Sequence, residues 1–408
     1  MEVAGIIKLL VVIGVIIFLT KKKWKLEYVM LLASLLLGVL FNLSAIQIGK
    51  IFVLALIDPT TLRLMGIIVL VYILSGVLSK VESLDNLVDS LRGIVKDYRF
   101  TLAFIPALLG LIPMPAGAMF SAPMVKEIGD RVGLTPEEDT FVNYWFRHVW
   151  EFIWPLFSGM ILFAGLLRVE IREVILVQFP LTITAIIVGF IWEYKNLKKD
   201  ITVINKRDIL INLKNLLYGI WPILLIIILV LGIKIDILIS LVITILSIFF
   251  LNTSKLTVTE IKGIMKNNID LGVVLLIAGI MIFQRMLQVS GGIELIPEIF
   301  AKLRIPSFIV LFSIPFFIGI MTGLSPAALG ISLPVLIPII IVKGEANLYY
   351  AMLAYAGNFV GIMISPMHLC LVVTKNYFKA DIGKIYKMLI LPLIIIVLVT
   401  IMLVIINT

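Results

Sequence analysis

The chain has 408 residues, 61% of them hydrophobic and 14% charged, with a mean hydropathy of +1.17. That excludes an ordinary water-soluble domain, which needs far more polar surface. Apolar runs of about 20 residues without period-two alternation also exclude a closed β-barrel, leaving an all-α polytopic membrane protein.

The net charge of +9 is spread over short loops, as the positive-inside rule requires and as a nucleic-acid-binding face would not be. Cys370 is the only cysteine, so no internal disulfide can form. In chain order, spans are predicted near Val3 to Thr20, Tyr28 to Phe41 and Leu62 to Leu78. The first is read as a membrane helix and not a cleaved leader, because Lys21, Lys22, Lys23 and Lys25 follow its apolar run. Leu84, Leu87, Val88, Leu91 and Val95 then share one face of a helix expected to lie flat on the membrane. A proline-broken segment, Thr101 to Val125, precedes spans Phe141 to Leu166 and Val174 to Trp192.

After a polar linker the order repeats. Spans are predicted near Leu210 to Leu231, Ile235 to Leu251 and Leu271 to Gln288, followed by a second amphipathic stretch with Ile293, Ile296, Ile299, Phe300 and Leu303 on one face. A broken segment, Phe308 to Ile341, and spans Tyr349 to Val373 and Met388 to Ile406 complete the chain. The division is therefore a first repeat (1–194), a cytoplasmic linker (195–208) and a second repeat (209–408). Residues 115–155 align with 326–366 without a gap, at an offset of 211, with ten identities that include Ser121/Ser332, Tyr144/Tyr355 and Pro155/Pro366. Duplicated, proline-interrupted membrane segments are the sequence signature of a transporter's binding site.

If each broken segment is a re-entrant hairpin, each half makes five crossings, and the odd number inverts one repeat against the other. Loop charge agrees. With the Lys21 to Lys25 cluster in the cytoplasm, the basic loops around Lys195 to Arg207, Lys255 to Lys266 and Lys375 to Lys387 lie there too. The less basic loops around Asp58, Glu170, Asp236 and Glu298 then lie outside, as do both termini, in a multi-pass protein of the cytoplasmic membrane. Irregular backbone at membrane depth must face protein or a wet cavity, so the breaks point inward. Pro155 and Pro366 cannot donate to the carbonyls of Glu151 and Ile362, which leaves main-chain oxygens suited to Na+. The Na+ ligands expected on this reading are Glu151, Ile362, Asn358 and Ser365. The hairpin turns present helix N-termini near Pro115 to Ala118 and Pro326 to Leu329 to an anion, with Ala116, Gly117, Ser325 and Ala327 as expected contact residues.

The densest chemistry is NYWFRHVWEFIWP, Asn143 to Pro155, in which Asn143, Arg147 and Glu151 share a helix face with His148 beside it. Intramembrane charge costs about 2.5–3.5 kcal/mol per residue on insertion scales, which calls for an internal role. Either Arg147 and Glu151 form a packing ion pair, or Arg147 grips a carboxylate while Glu151 or His148 reads an amino group or carries a proton. The second half supplies Asn358 where the first has Arg147, with Ser121 and Ser332 as further hydroxyl candidates.

The order of three spans, surface helix, hairpin, broken helix and last span resembles the ion transporter superfamily of dicarboxylate, citrate and gluconate carriers. Gly110 to Val125 (GLIPMPAGAMFSAPMV) and the Asn143 to Pro155 run also resemble an integral-membrane family of unknown function grouped with it. The resemblance implies an elevator mechanism, a homodimer and coupling to Na+ or H+. The Ser-Asn-Thr hairpin tip of the dicarboxylate carriers is replaced here by Pro115-Ala116-Gly117 and Ser325-Pro326-Ala327. The expected function is secondary transport of a small organic anion or amino acid across the lipid bilayer, with no cofactor other than a coupling ion. A passive channel is the alternative within transport, and a membrane-embedded hydrolase or lipid-modifying enzyme built on Ser121 and His148 is the alternative outside it.

Overall fold

The computed structural model describes residues 2–81, 97–112, 117–196, 206–253, 256–292 and 305–408. Both predicted surface helices, Pro115, Ala116 and most of the linker lie outside the described residues. The first half contains α1 (Glu2–Lys21), α2 (Leu26–Leu40), α3 (Ala45–Leu56), α4 (Pro59–Lys80), α5 (Tyr98–Gly110), α6 (Ala118–Val132), α7 (Pro136–His148), α8 (Ser158–Leu167) and α9 (Ile171–Asn196). The second contains α10 (Lys206–Ile227), closed by a π-helical turn (Ile228–Gly232), then α11 (Ile237–Leu251), α12 (Val258–Asn268) and α13 (Leu271–Val289). It continues through α14 (Ser307–Thr322), α15 (Ser325–Ile340), α16 (Leu348–Met363), α17 (Leu369–Phe378) and α18 (Ile382–Asn407). A two-residue ribbon, β1 (Ile341–Val342) with β2 (Glu345–Ala346), joins α15 to α16. Five described helices are long and apolar enough to cross a membrane, α4, α9, α13 and α18 among them.

The offset of 211 seen between residues 115–155 and 326–366 also governs the element boundaries. α2 and α11, α8 and α17, and α9 and α18 each match at both ends after adding 211. Contacts between halves are reciprocal: α2 packs on α13 as α11 packs on α4, α8 on α15 as α17 on α6, and α7 on α18 as α16 on α9. Reciprocity of this kind is the property of a two-fold arrangement, here within one chain.

Polar side chains set the helix starts. Ser44 and Thr135 form capping boxes with Gln47 and Glu138, while Asp58, Asp236, Asp270, Asn347 and Asp381 accept from the first free N–H groups of α4, α11, α13, α16 and α18. α5 with α6, and α14 with α15, form helical hairpins. The second hairpin turns at Gly323, whose φ of +62° suits glycine and whose missing Cβ would meet Met367 C and His368 N at 2.7 Å. α14 also packs against the main chain of α16, where a Cβ on Gly319 would sit 3.0 Å from the carbonyl oxygen of Asn358. A buried aromatic cluster, Phe152 and Phe163 from the first half with Tyr355 and Phe359 from the second, packs across the boundary between the halves.

Candidate functional site

Both proline segments are breaks, as expected. α7 stops at His148 and α8 resumes at Ser158, while α16 stops at Met363 and α17 resumes at Leu369. The tyrosine that matches across the halves bridges them: Tyr355 donates its hydroxyl to Glu151 O at 2.8 Å, and Tyr144 donates to Met363 O at 3.2 Å. The carbonyl freed by Pro155 is thus bonded by a tyrosine, and that of Ile362 accepts from Ser365 N at 2.9 Å. The main-chain oxygens predicted to be available to a cation already have donors, because the opposite half and the turn itself supply them.

The first break also ties down hairpin one. The last turn of α5 leaves carbonyls without intrahelical partners. Trp150 Nε1 donates to Ala107 O at 2.9 Å, Arg147 Nη1 to Leu109 O at 2.9 Å, and Trp154 Nε1 to Leu111 O at 2.7 Å. Arg147 therefore places its charge at the negative end of α5 while most of its five donors remain for other partners. Among the described residues no ion pair joins Arg147 to Glu151.

A cavity of about 340 Å³ lies between the breaks and the tip of hairpin two. Arg147, His148 and Glu151 line it from α7 and the first break; Ser158 and Gly159 from α8; Ser325 and Pro326 from α15; and Ile362, His368 and Cys370 from the second half. Tyr72 of α4 and Asp270 at the start of α13 line it as well. Asn358 reaches it indirectly, donating Nδ2 to Ser325 Oγ at 2.9 Å, and its Oδ1 is buried without a partner.

The remaining predicted residues lie elsewhere. Asn143 donates to Ala118 O at 3.0 Å and to Thr374 Oγ1 at 3.3 Å. Ser121 and Ser332 donate to backbone carbonyls one turn earlier, those of Ala118 and Ala328. Ser365 donates to Ile320 O at 2.6 Å. Ala327 is fully buried in α15, Gly117 precedes α6 outside the cavity lining, and Ala116 lies outside the described residues. Of the four expected Na+ ligands, Glu151 and Ile362 line the cavity, while Asn358 is bonded to Ser325 and Ser365 to Ile320 O.

Sequence reasoning ranks His368 below His148 as a proton carrier and gives Cys370 no role in the site, although both follow directly on the second proline break. The two histidines of the chain meet here, with Nε2 atoms 3.0 Å apart. Each Nδ1 is bonded to a carbonyl, His148 to Tyr144 O at 2.6 Å and His368 to Gly323 O at 2.7 Å. No hydrogen bond joins His148 to Ser121 among the described residues.

A second cavity, about 610 Å³, is lined by Asp58, Arg63, Arg168, Glu170, Arg172, Lys234 and Asp236. It gathers three of the loops whose charge predicted a common, external face. Lys80–Glu260 (3.0 Å) ties the end of α4 to α12, and Lys384–Glu137 (3.4 Å) ties the start of α18 to that of α7. Beside this second cavity α4 packs tightly on α8, with Leu64 so close to Gly165 that a Cβ there would lie 2.6 Å from Leu64 Cδ2.

Fold and site together define an all-α membrane protein whose two matching halves enclose a charged central cavity. The chain belongs to the family described as "Protein of unknown function (DUF401)", whose family model matches residues 3–406. No curated protein matches it.

Proposed function

We propose that this protein is a secondary transporter of small organic anions or amino acids, working in the cytoplasmic membrane as an inverted-repeat elevator coupled to Na+ or H+. The observation that carries the proposal is the cavity shared by both halves, in which the Arg147 guanidinium faces a space bounded by two helix breaks and a hairpin tip. A guanidinium with free donors lining a buried cavity suits a carboxylate, and Glu151, which lines the same cavity, suits an amino group. The unpartnered Oδ1 of Asn358 behind Ser325 is the oxygen left for a coupling cation.

Sidedness supports inversion. The loops at Asp58 and Glu170 line one cavity, so an even number of crossings separates them; α4 and the α7–α8 pair account for two, and hairpin one then adds none. Contacts also sort the helices in two sets, as an elevator needs. α2, α3, α4, α11, α12 and α13 pack on one another, as do the hairpins with the broken helices, and α4–α8 and α13–α15 are among the few junctions between sets. The central cavity reaches Asp270, which on this topology is the cytoplasmic side. Subunit pairing as a homodimer completes the reading.

The test is a thermal-shift screen of purified protein against carboxylates and amino acids, in Na+ and in K+. A ligand at 100 times its Kd should add about 2.7 kcal/mol of stability. That gain should vanish in Arg147→Lys, which keeps the charge and a donor for Leu109 O but loses the bidentate fork. Shifts that persist in Arg147→Lys, or none with any carboxylate or amino acid, would overturn the proposal.

A further inference from the structure

The imidazoles of His148 and His368 face each other in a way that neutral rings alone do not explain. A main-chain carbonyl only accepts, so the contacts from Nδ1 to Tyr144 O and to Gly323 O fix the proton of each ring on Nδ1. Both Nε2 atoms then present lone pairs, and they do so 3.0 Å apart. Something positive must lie between them. The third group at this point is the Cys370 thiol; one ligand atom from each of His148, His368 and Cys370 lies within 4.8 Å of the other two.

We propose that His148, His368 and Cys370 form a binding site for a borderline-soft metal cation of the Zn2+ class. Two imidazoles and a thiolate are the ligands such an ion prefers over Mg2+ or Ca2+, whose ligands are oxygens. Tetrahedral bonds of about 2.0–2.1 Å to nitrogen would put the two Nε2 atoms roughly 3.3 Å apart, a few tenths of an ångström from where they stand. Backbone carbonyls holding both Nδ1–H groups supply the outer shell that orients ligating histidines. All three ligands line the central cavity, so the fourth position opens into it, toward the side that holds Glu151. Binding releases the thiol proton of Cys370 to solvent, and no other covalent change is involved. The site stands independently of the transport reading.

The experiment uses the full-length protein in detergent, loaded with Zn2+ or Co2+ and freed of excess by gel filtration. Elemental analysis should find one Zn2+ per chain. The Co2+ form should show a thiolate-to-cobalt charge-transfer band in the near ultraviolet, and chelator should lower the melting temperature. Cys370→Ser should abolish the charge-transfer band. His368→Gln should weaken binding by more than the roughly 10–100-fold that outer-shell changes cost. Should His368→Gln not fold, the band and its loss in the nearly isosteric Cys370→Ser carry the test. Wild-type protein that retains no Zn2+ or Co2+, or that binds Co2+ without the band, would overturn the site and leave a proton shared between the imidazoles. Neither result touches the carboxylate screen with Arg147→Lys, so the two readings fail separately.

Discussion

Asp139 stands in the first turn of α7, ahead of the membrane run that begins at Phe141, and is 1% exposed with Oδ1 unpartnered. Burial pushes its carboxyl up to about 7, with Lys126 opposing the rise. The folded chain therefore holds this proton more tightly than the unfolded chain. Its contribution is most favourable below pH 4 and is lost as pH rises from there toward 7, then stays level. We expect Asp139→Asn to stabilise the protein by about 1–2 kcal/mol at pH 8, after discounting for water near the carboxyl, and by little at pH 4. Paired melting curves check this, and an equal gain at both pH values would refute it. Residue types were legible at this scale, but partners were not. The run from Asn143 to Pro155 announced charge at membrane depth, yet nothing in it foretold that Trp150, Arg147 and Trp154 spend donors on the end of α5. His148 and His368 stand 220 residues apart at positions the repeat does not equate, so neither periodicity nor the offset could join them.

At the scale of elements, apolar length and proline placement predicted ten spans and two breaks; both breaks are present and, among the described residues, five of the spans are helices long and apolar enough to cross, while α3 and α12 were not foreseen. The break after α7 begins past His148, seven residues before Pro155, and within it Glu151 O accepts from the hydroxyl of Tyr355 in the other half. Glycines separate tight seams from open faces. In α16 a Cβ on Gly361 would collide with the main-chain oxygen of Phe316, whereas one on Gly14 of α1 would meet nothing within 4 Å. Gly361→Ala should cost about 1–3 kcal/mol or more, since backbone cannot yield as a side chain does. Gly14→Ala should be neutral or gain up to about 1 kcal/mol from helix propensity. Chemical unfolding of both variants measures the contrast, and equal effects would mean that α14 and α16 are not packed main chain to main chain.

For the whole molecule, the duplication was visible over 41 aligned residues, while the structure carries its offset from α2 to α18. Apolar membrane sequence tolerates exchange of one large side chain for another, so identity fades where architecture persists. Sidedness is the decisive measurement at this scale. In a Cys370→Ser background, single cysteines at Asp58, Glu170 and Lys234 should react with an impermeant maleimide from one face, and those at Lys262 and Lys384 from the other. Labelling of Glu170 from the face of Lys384 would require hairpin one to cross the bilayer and would remove the inversion. The seat of Gly323 has its own mechanical corollary. The Gly323 carbonyl is bonded to His368 Nδ1, and the same glycine lies against the peptide of Met367 and His368, so the bend of hairpin two and the second imidazole are tied together. A displacement of that bend would carry the second imidazole with it, so the spacing between the two rings doubles as an internal ruler for the position of hairpin two.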